Sequence, residues 1–292
     1  MYDREPTIRS RELGEGLRRM MAEAGLTGQQ AAHLLGWSPS WVSRLLSGKR
    51  SGSEVDVSAF LAVCRVTGPE RVRLLELCRD QNTPGWLQQH GSRLPKQLVT
   101  LIDHENKAVA IGDFQALVMP GLLQTGDYAR ALIREAGAVP ADEIDDRVAA
   151  RLARQSLFSR ERPAQFTFYL HEFVLRLPVG GPVAMSDQLH HLLRMSVRSY
   201  LTLRVLPASL GAHAGLAGPF KLMEFTDFRP VVYLDSETSS LFLEKPEEIA
   251  AYRRILGALG ETALGEGQSR ELIATLATEL YADREDDHDD RA

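Results

Sequence analysis

Residues 26–50 read "LTGQQAAHLLGWSPSWVSRLLSGKR", and two short helices joined by a tight turn account for nearly every position. Thr27 stands where an N-cap belongs, and Gln30 three residues on completes a capping box; Ala31, Leu34 and Leu35 form an inward face before Gly36 ends the helix. Ser38 then caps a second helix, Pro39 fits its first position, Val42, Leu45 and Leu46 turn inward, and Gly48 stops it. Such a pair is a helix-turn-helix, whose second helix has the right size for the major groove of DNA. Once the apolar residues are assigned inward, Ser40, Trp41, Ser43, Arg44 and Ser47 remain outside, followed by Lys49 and Arg50, and none is acidic. A carboxylate there would meet the phosphate potential. In a chain of formal net charge -5, so clean a stretch fits a DNA-facing surface better than a merely solvated basic face.

The same patterning extends outward on both sides. Leu13, Leu17, Met20, Met21 and Ala24 recur at helical spacing and Gly25 follows, which predicts a first helix over Arg9–Ala24. Two more helices are expected near 57–67 and 69–80, the second opened by Pro69. Residues 1–80 hold twelve Lys and Arg against ten Asp and Glu, a net of +2, which leaves -7 for the rest. The basic character is therefore local, and overall acidity does not argue against phosphate contacts.

At 292 residues and 44% apolar, the chain can bury more than the one small core that those helices make. Residues 81–95, with Pro84, Gly85, Gly91 and Pro95, read as a connector. A helix-like stretch follows over 94–113, then the turn "MPGLLQT" at 119–125 and helical patterns at 128–133 and 144–160. The runs "QFTFYLHE", "LTLRVLP", "FKLMEF", "PVVYLD" and "SSLFLEK" carry strand signals, interleaved with helices at 187–200, 246–259 and 269–281. The last three strands follow closely on one another, which favours an antiparallel meander. The expected architecture is an all-α N-terminal helix-turn-helix domain of about five helices over 1–80, then an α+β domain over 96–281 with a mostly antiparallel sheet. Residues 282–292 read as an acidic, solvated tail.

"LRRMMAEAGLTGQQAAHLLGWSPSWVSRLLSGKR" resembles the helix-turn-helix of the Cro/repressor class, the xenobiotic-response-element family. The resemblance implies that Gln29 and Gln30 lie near the DNA backbone, Ser40, Trp41 and Arg44 near base edges, and Ser38, Ser43, Lys49 and Arg50 near phosphates. Gly28 departs from the family, which often has glutamine there. Farther on, "VMPGLLQTGDYARAL", "LHEFVLRLPVGGP" and "VVYLDSETSSLFLEKPEEIAAYRRILGAL" are similar to the carboxy-terminal domain of unknown function in actinobacterial regulators of the WhiJ-like group. That similarity implies a transcriptional regulator and a small protein partner encoded nearby, with no catalytic residue to carry over.

Chemistry finds little support in the larger region. His171, His190, His191 and His213 lie near Glu172 and Asp187, but "HEFVLR" lacks the second histidine of a zinc-binding helix, and adjacent His190 and His191 diverge by about 100° on a helix. Neither "VGGP" nor "GAHAGLAG" matches a phosphate-cradling loop. No cofactor or metal is expected, and an enzyme ranks behind a DNA-binding regulator, an antitoxin-like member of a protein pair, and a small-molecule-sensing repressor. Leu122, Leu123, Gln124 and Tyr128 read either as core or as an apolar turn offered to a partner or ligand. Arg147, Arg151, Arg154 and Gln155 read either as a second phosphate face or as a helix paired with the preceding acids. Cys64 and Cys78 suit reduced core thiols. With no run of eighteen apolar residues and a charged amino terminus, no membrane span or leader is expected, and the cytoplasm, alongside the nucleoid, is the expected location. One recognition helix contacts few base pairs, so a homodimer on a double-stranded operator is expected, joined through the larger domain.

Overall fold

A computed structural model describes residues 6–81, 86–89, 96–137, 139–236 and 239–282. Five helices come first: α1 (Ile8–Glu23), α2 (Gly28–Leu35), α3 (Pro39–Leu46), α4 (Glu54–Val63) and α5 (Gly68–Asp80). They close around Leu13, Leu17, Val42, Leu45, Phe60, Leu61 and Leu74, each essentially without exposure. Burying a side chain of this size contributes about 1.5–3 kcal/mol, so this small core accounts for the helical unit that the periodicity anticipates. Cys64 and Cys78 are buried free thiols within it. Leu34, read as inward, is instead 58% exposed, and α2 turns Ala31 and Ala32 toward the core. Two alanines let so short a helix approach its neighbours closely.

The α+β part follows as β1 (Trp86–Gln89), α6 (Lys96–Lys107), β2 (Ala110–Gln115), α7 (Gly126–Ala136), α8 (Ile144–Ala153), β3 (Gln165–His171), α9 (Glu172–Arg176), α10 (Gly181–Met195), β4 (Leu201–Leu206), β5 (Phe220–Glu224), β6 (Val231–Asp235), β7 (Ser239–Leu243), α11 (Pro246–Thr262) and α12 (Glu266–Ala282). Among the described residues, seven strands form one sheet in the order β1-β7-β6-β5-β2-β3-β4. The meander β5-β6-β7 is antiparallel as the sequence suggests, and so are β1 with β7 and β2 with β5. Strands β2, β3 and β4 run parallel, with helices in each crossover.

Two sequence expectations change here. The helical reading of 94–113 stops at Lys107, and "AIGDFQ" is β2, a central strand. It contains no strong strand former beyond Ile111 and Phe114; its conformation follows from pairing on both edges, with β5 on one side and β3 on the other. The stretch read as a connector contains β1, registered against β7 from Trp86↔Phe242 to Gln89↔Ser239. The rest of that stretch, residues 82–85 and 90–95, and the tail from 283 onward lie outside the described residues.

Alternation along the strands divides the core in two. One sheet face carries Ile111, Phe166, Phe168, Leu203, Val205, Met223 and Phe242, packed with α6, α10 and α12 residues such as Leu101, Leu189 and Leu276. The other carries Phe114, Tyr169, Phe220, Leu222 and Val232 beneath Ile249 and Leu259 of α11. At the β4 edge, Val205 O accepts from Leu264 N at 2.8 Å, Val205 N donates to Ser269 Oγ at 3.0 Å, and Arg204 Nε donates to Leu264 O at 2.8 Å. These contacts cover the Val205 end of the β4 edge. No helix among the described residues is long and apolar enough to cross a membrane.

Candidate nucleic-acid interface

The helix-turn-helix is set by local hydrogen bonds. Thr27 Oγ1 accepts from Gln30 N at 3.2 Å while Gln30 Oε1 accepts from Thr27 N at 2.8 Å and from Thr27 Oγ1 at 3.0 Å, so the capping box is complete. Ser38 Oγ accepts from Trp41 N at 3.2 Å and Pro39 occupies the first turn of α3. Replacing Thr27 with alanine is expected to cost about 0.5–2 kcal/mol of stability, read as a lowered urea midpoint with an unchanged slope.

On α3, Ser40 and Ser43 are exposed and Arg44 is half-buried, its Nε without a hydrogen-bond partner among the described residues. Ser47 Oγ donates to Arg44 O at 3.1 Å, and Lys49 and Arg50 follow, half-buried. Trp41 is not a free side chain: its ring lies 4.0 Å from that of Trp37, and the Arg50 guanidinium sits over it at 5.5 Å. This stack fixes the exit of α3 and orients Arg50 by a cation–π contact. Gln29 is exposed in the first turn of α2, whereas the Gln30 carbonyl oxygen is engaged in the cap. The N-cap Ser38 is also exposed.

Gln29, Ser43 and Ser47 line one shallow notch between α1, α2 and α3, with Gly28 at its rim. No atom lies within 4 Å of where a Gly28 side chain would begin, so the departure from glutamine leaves the notch open. Arg18 of α1 lines the same notch, its Nη2 donating to Leu46 O at 2.8 Å. Nothing in the apolar spacing of "LRRM" marks Arg18 for this place. The Arg18 guanidinium is engaged at both ends, with Glu15 through Nη1 and Leu46 O through Nη2, so the donors the notch offers a phosphate oxygen are the α2 amino terminus and the Ser43 and Ser47 hydroxyls.

The candidate partner surface needs correction. Leu122, Leu123 and Tyr128 are wholly buried and Gln124 is 2% exposed. The turn is drawn inward by side chains that satisfy its backbone. Gln124 Nε2 donates to Met119 O at 2.7 Å, Gln155 Nε2 to Gln124 O at 2.6 Å, and Gln188 Nε2 to Leu123 O at 2.7 Å. Met119 N in turn donates to the Tyr128 hydroxyl at 3.1 Å. The arginine-bearing helix does not make a second phosphate face either. Arg154 is buried on Glu105, Arg151 donates to Gln124 Oε1 at 2.8 Å, and Arg147 pairs with Glu143 at 3.5 Å. Burial, and then the neighbouring charge of Arg154, lower Arg151 to about 10.

His171 and His213 stack with ring centres 5.5 Å apart. Each uses Nδ1 to accept a backbone N–H, from Phe173 at 3.2 Å and Gly215 at 3.1 Å. That pins both rings in the Nε2–H tautomer, which leaves no lone pair for a metal. Burial, and then His213, lower the His171 imidazole below its ordinary range.

Residues 12–74 match a helix-turn-helix domain, and residues 98–275 match a domain of unknown function, DUF5753. No curated protein matches the chain significantly. Among solved structures, TrmBL2, an archaeal chromatin protein described as showing a novel mode of DNA binding, is similar at 11% identity and a TM-score of 0.28. The overlap covers 66% of this chain and 61% of that one, less than two thirds of its length, and is too loose to define a shared fold. The family model spans more than half of the 292 residues, and the chain belongs to the DUF5753 family, with a helix-turn-helix domain preceding the family domain.

Proposed function

We propose that this protein is a sequence-specific, DNA-binding transcriptional regulator in which α3 enters the major groove and the larger domain serves dimerisation and control. The observation that carries the reading is the acid-free outer face of α3, with exposed Ser40 and Ser43, half-buried Arg44, and Lys49 and Arg50 at its exit. Gln29 and Arg18 line the notch beside that face. Two copies on half-sites roughly 34 Å apart supply the contacts that one short helix lacks.

The test separates base contacts from phosphate contacts. Arg44→Ala is expected to weaken binding to a selected operator by about 1–3 kcal/mol and to relax preference at one position. Lys49→Ala is expected to weaken every duplex alike and to reduce the salt slope by about one. Fluorescence anisotropy on selected and scrambled duplexes at two salt concentrations reads both. Unchanged affinities for both variants would remove α3 from the interface. Sedimentation of the full chain tests the pairing, and a monomer that binds a half-site as tightly as the whole operator contradicts it.

A further inference from the structure

The carboxyl end of α3 is in backbone contact with α1. A side chain on Gly14 would collide with the Leu46 carbonyl, and one on Gly48, whose φ is +72°, would begin 2.9 Å from the Ser10 carbonyl oxygen. Only glycine fits such an approach. With the Arg18 hydrogen bond to Leu46 O, α1 and the end of α3 have no slack between them.

Another side of α1, with Ile8, Arg11, Glu12 and Glu15, meets the α+β domain. Ile8 belongs to the larger core, and its N–H donates to Glu244 Oε1 at 2.7 Å. Arg11 is 3% exposed, lies 5.1 Å and 4.8 Å from the ring centres of Phe225 and Phe228, and is 3.8 Å from Glu244 Oε1. Glu12 Oε2 accepts from Thr100 Oγ1 at 2.6 Å, and Lys107 lies 3.5 Å from Glu15.

This seam is buried but imperfectly satisfied. None of the three guanidinium nitrogens of Arg11, nor His104 Nε2, has a hydrogen-bond partner among the described residues. Burial lowers Arg11 to about 10 against the pull of Glu244 and Asp103; burial, and then Arg11, hold His104 well below the ordinary imidazole range. Orphaned polar groups regain water when such a seam parts, so opening it costs less than opening an apolar one of equal area.

We propose that Arg11 and Glu244 are positioning residues for the recognition helix, fixing α1 against the sheet so that the state of the α+β domain sets the placement of Lys49 and Arg50 on DNA. The relay crosses a single helix: Glu244 to Arg11, Arg11 to its neighbour Ser10, and Ser10 to Gly48. It rests on the reading of α3 as the DNA-contacting helix. Coupling of this kind is reciprocal, so DNA must act on the seam as the seam acts on DNA.

Hydrogen exchange on the full chain, with and without a short duplex of mixed sequence, tests the relay. Bound duplex is expected to change exchange in segments 8–18 and 225–244 while α10 is unaffected. The double variant Arg11→Met with Glu244→Gln removes the charge pair while keeping its bulk. It is expected to melt no lower than the parent, to bind the duplex with an affinity altered roughly fivefold or more, and to lose the response at 225–244. Arg11→Lys, which keeps the charge without the planar fork, should restore part of that response. A parent chain that fails to bind any duplex contradicts the functional reading itself. If the parent binds without a change at 225–244, or the variant binds and responds like the parent, the relay is wrong. Should the double variant not fold, the exchange result on the parent chain decides alone.

Discussion

Glu105→Ala is expected to lower the unfolding free energy by about 3–5 kcal/mol, because it strands two buried cations. Glu105 has no exposure and lies on α6, where its carboxylate accepts from Arg154 Nε at 2.9 Å and Arg154 Nη2 at 2.7 Å and pairs with Lys221 of β5. Lys221 is also 3.4 Å from Asp113 of β2, so the cluster joins α6, two strands and the segment after α8. Burial alone would raise the Glu105 carboxyl; Lys221 and Arg154 more than offset it and hold it at about 2. Its folded value is thus depressed, and the stability it supplies is present above the ordinary glutamate range and is lost as pH falls toward 2. Urea titrations between pH 5 and pH 2 should show this loss in the parent chain and a flatter profile in Glu105→Gln. A loss below about 1 kcal/mol for Glu105→Ala would mean that the cluster is solvated, contrary to its burial.

Leu122→Ala is expected to destabilise the chain by about 2–5 kcal/mol, since the residue is wholly enclosed and its removal leaves a cavity. A leucine presented to a partner would change stability by no more than about 0.5 kcal/mol. Chemical denaturation of the free protein therefore separates the two readings of the "MPGLLQT" turn without any partner in hand. Its three surrounding glutamines, Gln124, Gln155 and Gln188, hold the turn's carbonyls, and their loss should loosen it further.

These two sites also show what the sequence made legible. The helix-turn-helix could be read because its signals are local: Thr27, Gln30, Ser38 and Pro39 act within one turn of themselves, and each does what its type and position suggest. The strands from Gln165 onward announced themselves by aromatic and β-branched residues. Strand β2 did not, because "AIGDFQ" is extended only through its neighbours, and Asp113 at its centre looks polar until Lys221 is placed beside it. The same holds for Glu105, whose partners stand 49 and 116 residues away. Arg18 and Arg11 are hidden within an amphipathic pattern, one at the notch between α1, α2 and α3 and the other in the seam to the sheet. Contacts set by long-range packing leave no periodic trace, and the polar ones least of all.

Selection of duplexes from a random pool by the full chain tests whether α3 reads base edges. The predicted result is one enriched, two-fold symmetric motif with half-sites about one DNA turn apart, in which Arg44→Ala relaxes a single position of each half-site. Recovery of no motif, or of a motif that Arg44→Ala leaves unchanged at every position, would contradict it.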